Sequence, residues 1–113
     1  MPIVIVNDSS TASRFRDLSR SYNAISIDLE GNDLCRTGQI YTIQIFIPSL
    51  NEAYIFDCRK LEKSDVIRCL QNILADYNIK KYMFDCRSDA DALYHQYGLR
   101  LNNVIDIQLY EAG

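Results

Sequence analysis

The chain has 113 residues, enough for one domain with its own core and no disulfide or metal staples. At 48% hydrophobic and 24% charged residues it reads as globular, which excludes a disordered or membrane-spanning chain. A net charge of -3 and a pI of about 5.0 exclude a broad basic surface for nucleic acid. They do not exclude a nucleic-acid enzyme whose carboxylates are offset by bound cations.

Residues Ile3 to Val6 form a short apolar, β-branched run, predicted as a buried strand. The cluster Asn7-Asp8-Ser9-Ser10-Thr11 supplies N-cap formers for a helix running to about Arg20, with Ala12, Phe15 and Leu18 toward the core. Ala24 to Glu30 is the next strand. Gly31 to Gln39 is polar, holds two glycines and reads as a loop. In the strand Ile40 to Ile47, Ile43, Ile45 and Ile47 alternate with Thr42, Gln44 and Phe46. A turn leads to the strand Ala53 to Cys58. These three strands have short connections, which favour antiparallel pairing.

The second half changes period. Val66, Leu70, Ile73, Leu74 and Tyr77 recur at steps of three and four, predicting a helix over Glu62 to Asp76 with one buried face. Ile79 to Phe84 is a strand with Lys80 and Lys81 on one side. Ser88 is expected as the N-cap of a helix over Asp89 to Tyr97, with Asp91 as its capping-box acid and Gly98 as its stop. Val104 to Asp106 is a final short strand, and Ile107 to Ala112 starts another helix. The order β-α-β-β-β-α-β-α-β-(α) predicts an α/β domain: a mixed sheet, three antiparallel strands followed by parallel strands, helices on both faces.

Cys35, Cys58, Cys69 and Cys86 include no C-x-x-C pair, and His95 is the one histidine, so a zinc site is not expected. The thiols are expected to be reduced and mostly buried, as in an intracellular protein of cytoplasm or nucleus. The N-terminus has no basic region before its apolar run and does not read as a signal peptide. No segment approaches the ~20 apolar residues of a membrane span.

The chemistry centres on Ile25 to Gly31. Side chains two apart on a strand share a face, so Ser26, Asp28 and Glu30 lie opposite Ile25, Ile27 and Leu29. Two carboxylates on one face repel each other. A hard divalent cation between them reverses the sign, because Mg²⁺ and Mn²⁺ favour carboxylate oxygens. The plain alternative is a strand edge carrying two ordinary acids. Asp89 tips the balance toward a metal site, although a first-turn acid also stabilises a helix. Asp91 is exchangeable with Asp89 in this assignment. Asp106 either faces the cluster or caps the helix after it. Gln44 lies on the polar register of its strand, and Arg36 lies in the loop after the acids. Both are candidate nucleic-acid contacts. His95 reads as a helix-surface residue, and Lys80-Lys81 as a two-charge run.

Ile27-Asp28-Leu29-Glu30-Gly31 followed by Gly38-Gln39-Ile40-Tyr41-Thr42-Ile43-Gln44-Ile45 resembles the first motif of the DEDD-type 3'-5' exonucleases. Met83 to Gly98 resembles their second motif, and Asn103 to Gln108 the segment that follows. The likeness is to the RNase D-like branch and the exonuclease 3'-5' domain-containing proteins, including Egalitarian-like and fungal members. It implies a ribonuclease H-like fold. It also implies two ions, Mg²⁺ or Mn²⁺, with Asp28 bridging, Glu30 beside it and Asp89 on the second ion. RNA or single-stranded DNA would be the substrate. The family's third motif matches nothing within residues 1–113, so a single domain lacking that C-terminal part is expected, with a homodimer covering the sheet left bare. The alternative is a catalytically inactive exonuclease-like module that acts as a nucleic-acid-binding or dimerisation scaffold.

Overall fold

A computed structural model describes residues 1–18, 22–32, 34, 38–84 and 86–107, with the backbone alone of 86 and 87. Its elements are β1 (Ile3–Val6), α1 (Ser9–Arg16), β2 (Ala24–Gly31), β3 (Ile40–Ile47), β4 (Glu52–Asp57), α2 (Lys63–Ala75), β5 (Lys80–Met83), α3 (Cys86–Tyr97) and β6 (Val104–Asp106). They build a six-stranded sheet in the order β1-β4-β3-β2-β5-β6. The hairpins β2-β3 and β3-β4 are antiparallel. β1 joins β4, β5 joins β2 and β6 joins β5 in parallel. This is the expected mixed α/β sheet.

One sheet face carries the core. Ile25, Ile27 and Leu29 of β2 lie beside Ile43, Ile45 and Ile47 of β3, then Tyr54 and Phe56 of β4, all buried. α1 packs there: Phe15 meets the rings of Tyr54 and Phe56 edge-on, with centroids 5.1 and 5.0 Å apart. Each such pair adds about 0.5–1.5 kcal/mol to simple burial. α2 lies against α1, where the buried Cys69 thiol reaches the Ala12 carbonyl at 3.5 Å. α1 begins with a capping box: the Asp8 carboxylate accepts the Thr11 N–H, and the Thr11 hydroxyl oxygen accepts the Asp8 N–H. That hydrogen bond holds the Asp8 carboxyl below its ordinary pKa.

The opposite face carries Ser26, Asp28, Gln44, Phe46, Ala53, Ile55 and Tyr82. An open depression of about 750 Å³ runs across it from Met1 and Ile3 to Phe84 and Ile107.

Several expectations need correction. β1 is an edge strand and not buried throughout: Val6 is enclosed, but Ile3 and Ile5 are 58% and 46% exposed because alternate residues face the open side. Tyr77 falls after α2 and is 73% exposed, so the helical period does not reach it. α3 starts at Cys86, which puts Ser88 and Asp91 inside the helix and not at its cap. The buried face of α3 uses Ala92, Leu93 and Tyr97, while Tyr94 is 48% exposed. Lys80 and Lys81 are neighbours on a strand and face opposite ways. Lys80 is exposed and Lys81 is fully buried.

Lys81 works as a remote cap. α2 has no basic residue in its last turn, and its final carbonyls need donors. The Lys81 ammonium donates to the Asp76 carbonyl, the Asn102 N–H and carboxamide to Leu74 and Ala75, and the Asn103 carboxamide to Tyr77. Burial pushes the Lys81 amine below its usual pKa, and Asp76 partly offsets this.

Candidate active site

Parallel pairing brings the C-terminal ends of β2 and β5 to the same edge of the sheet, side by side. Clefts at the carboxyl ends of neighbouring strands are where open α/β sheets place ligands. Asp28 and Glu30 end β2 there, both exposed and on the open face. Their Cα atoms are about 6.6 Å apart by strand geometry, so both carboxylates can serve one cation. β5 runs to Met83, and α3 leaves from the same edge with Asp89 in its first turn, half-buried.

The antiparallel ladder supplies the neighbours. Gln44 pairs directly with Asp28, and Thr42 with Glu30. Thr42 also pairs with Asp57 of β4. Directly opposed residues share a face with Cβ atoms about 4.5–5.5 Å apart. Gln44 is therefore beside the first acid, as its register predicted, and half-buried. The Thr42 hydroxyl is buried and has no hydrogen-bond partner among the described residues. Sequence reading placed Thr42 on the polar face but assigned it no role; its pairing with Glu30 was the missed signal.

A register irregularity falls between Glu30 and Gly31. The chain beyond it is pinched shut: the Asn32 N–H donates to the Gln39 carbonyl at 3.2 Å, and the Gln39 N–H to the Asn32 side-chain oxygen at 3.0 Å. Gly31 allows this approach, since a Cβ there would stand 2.2 Å from the Gln39 carbonyl oxygen. Arg36, expected in this loop, lies outside the described residues.

The donor set suits hard divalent cations, because Asp28, Glu30 and Asp89 offer only carboxylate oxygens. Among the described residues no three His, Cys, Asp or Glu side chains form a group that could hold a metal ion. Asp28 and Glu30 are brought together as a pair, and Asp89 stands at the same edge without closing a triad.

Asp106 pairs with Met83 on β6, two strands from β2. His95 is exposed beside Tyr94, with ring centroids 5.5 Å apart. Tyr41 carries the Arg59 guanidinium 4.4 Å above its ring. The Cys58 thiol, half-buried and donating to the Phe56 carbonyl at 3.8 Å, is pushed up by burial, and the Tyr97 hydroxyl likewise. Such a thiol is inert. No helix among the described residues is long and apolar enough to cross a membrane.

Comparison with known proteins adds sequence and fold. Over 90 residues the chain is 38% identical to the piRNA biogenesis protein EXD1 of Mus musculus and of Homo sapiens. The match covers 80% of this chain but 15% and 17% of those relatives. RNase D of Trypanosoma brucei, solved in complex with RNA U12, superposes with a TM-score of 0.87 at 25% identity. That match covers 97% of this chain and 39% of the other. The EXD2 exonuclease domain, soaked in Mn and GMP, superposes with a TM-score of 0.78 at 24% identity, covering 99% of this chain and 59% of the other. The sheet is thus the ribonuclease H-like sheet of RNase D. The 3'-5' exonuclease family matches residues 3–112, and with the two acids of β2 in their expected place the chain belongs to that family.

Proposed function

We propose that this chain is a 3'-5' exonuclease module that shortens RNA or single-stranded DNA with two divalent ions, Mg²⁺ or Mn²⁺. One observation carries the reading: Asp28 and Glu30 share the open face at the carboxyl edge of β2, beside the strand end from which the helix of Asp89 departs. The relatives agree with it. The RNase D structure holds RNA, the EXD2 domain was soaked with Mn and a nucleotide, and the EXD1 proteins are named for an RNA pathway.

In this reading Asp28 and Glu30 would hold the first ion, and Asp89 from α3 would hold the second together with Asp28. Bound divalent ions supply an activated water and neutralise charge on the leaving oxygen of the phosphodiester. The protein's own residues orient the strand. The Gln44 carboxamide beside Asp28 offers a donor and an acceptor to phosphate or sugar. Arg36 is proposed as a phosphate contact from the loop. A homodimer remains part of the proposal, because Met1, Ile3, Ile5, Phe84 and Ile107 are exposed apolar residues of one sheet face or its rim.

The test uses a 5'-labelled RNA and a DNA strand of the same sequence, each with Mn²⁺ or Mg²⁺. Progressive shortening from the 3' end is expected, falling at least 100-fold in Asp28→Ala. Shortening that survives in Asp28→Ala rejects the site. Tight binding without shortening at micromolar protein favours the scaffold. Sedimentation equilibrium at tens of micromolar checks the dimer, and a clean monomer removes it.

A further inference from the structure

Gln96 sits near the end of α3, far in sequence from the acids of β2, yet it grips the neck of the loop that follows them. Its side-chain oxygen accepts the Ile40 N–H at 3.2 Å. Its side-chain nitrogen donates to the Gly38 carbonyl at 2.6 Å. These two backbone groups are two residues apart, and the carboxamide satisfies both as a neighbouring strand would. Only a carboxamide of this length offers a donor and an acceptor side by side; a carboxylate keeps the acceptor alone. The same neck is closed on its other side by the Asn32–Gln39 pair and by the missing Cβ of Gly31, directly after Glu30.

The helix end is held at further points. The Lys63 ammonium donates to the Gln96 carbonyl at 3.1 Å and lies 5.5 Å from the Tyr97 ring centroid. The Tyr97 side chain is itself buried. These contacts fix where α3 ends. Gln96 adds something different, because it ties the helix to the start of β3, where Ile40 pairs with Gly31, the residue after Glu30. Gln96 follows Asp89 by seven residues, so both lie on one face of α3, two turns and about 10 Å apart. Turning that face toward the neck turns Asp89 toward the same edge. A rotation of about 20° would swing a side chain by about 2 Å at the helix surface, enough to break a metal–oxygen contact.

We propose that Gln96 is a positioning residue for the acid cluster. It sets the rotation of α3 against the neck of the 31–39 loop and so holds Asp89 at the sheet edge that carries Asp28 and Glu30. This rests on the two-ion reading of those acids.

The experiment compares the parent chain with Gln96→Ala, Gln96→Glu and Asp28→Ala. Mn²⁺ binding is followed by calorimetry, the Ile40 amide by hydrogen exchange, and the fold by circular dichroism. In the parent, two ions bind. In Gln96→Ala the Ile40 amide exchanges at least tenfold faster, and the weaker ion loses about tenfold in affinity while the tighter one stays within twofold. Gln96→Glu keeps the acceptor for Ile40 and lies between, and it carries the test if the alanine variant unfolds. Faster exchange with both Mn²⁺ affinities unchanged makes the grip purely structural and overturns the proposal. Unchanged exchange overturns it as well, by removing the grip. A parent that binds no Mn²⁺ sinks the two-ion reading and this proposal with it. A parent with two ions and indifferent Gln96 variants sinks the Gln96 role alone.

Discussion

Single residues act here through backbone geometry as much as through chemistry. Gly31 and Gly98 are both required, for different reasons. Gly98 ends α3 with φ +66 and open space around its Cα, so Gly98→Ala meets conformational strain and no clash. A loss of about 1 kcal/mol is expected. Gly31→Ala places a methyl 2.2 Å from the Gln39 carbonyl oxygen and 2.8 Å from Leu34, and the neck must open to admit it. Its cost should exceed that of Gly98→Ala, at about 2 kcal/mol or more, and it alone should weaken Mn²⁺ binding. Urea midpoints with calorimetry on both variants decide this. Equal stability losses with unaltered metal binding in both would show that the neck does not support Glu30. The role of Gly31 was not legible from its neighbours in sequence, since Gln39 approaches it only after the hairpin forms.

Elements show where local propensity stops. The helix α2 is written in its sequence by the period of Val66, Leu70, Ile73 and Leu74. Its C-terminus is not, because the groups that satisfy its last carbonyls come from β5 and from the segment before β6. Lys81 therefore looks like half of a surface charge run and is a buried cap. Lys81→Ala should cost about 2–4 kcal/mol, removing both the stem packing and the donor. Lys81→Met keeps most of the stem volume and should cost less, about 1–2 kcal/mol. Chemical denaturation of the two variants checks the order, and identical losses would assign the whole effect to the hydrogen bond. The same logic governs β1. Its run of Ile and Val reads as a buried strand, yet at the sheet's edge alternate side chains face outward.

At the scale of the whole molecule, burial sets the alkaline limit. The buried Cys69 thiol is pushed from 9.0 up to about 11 by desolvation, and Tyr54 from 10.0 up to about 12, again mainly by burial and then by its hydrogen bond to Glu52. Both shifts favour the neutral form in the folded state. Between pH 9 and 11 the unfolded chain releases the Cys69 proton and the folded chain keeps it. The contribution of Cys69 is therefore complete below pH 9 and lost as pH rises toward 11. Cys69→Ser, whose hydroxyl does not titrate in this range, should flatten that part of the stability curve. A slope between pH 9 and 11 unchanged from the parent would refute the assignment.

By itself the sequence determined the element order, the mixed sheet and the pairing of Asp28 with Glu30, because strand and helix periods are local and a period of two puts i and i+2 on one face. The family motifs around those acids were legible for the same reason: they occupy short continuous stretches. Only the tertiary structure decided what meets them. It set Gln44 and Thr42 opposite the acids, brought the start of α3 to the end of β2, and turned Gln96 onto the neck 56 residues away. It also decided which face is the core and buried Lys81 within it. These relations depend on strand register and on which strands become neighbours. Such long-range choices are made by closing the whole sheet, and no short window of sequence contains them.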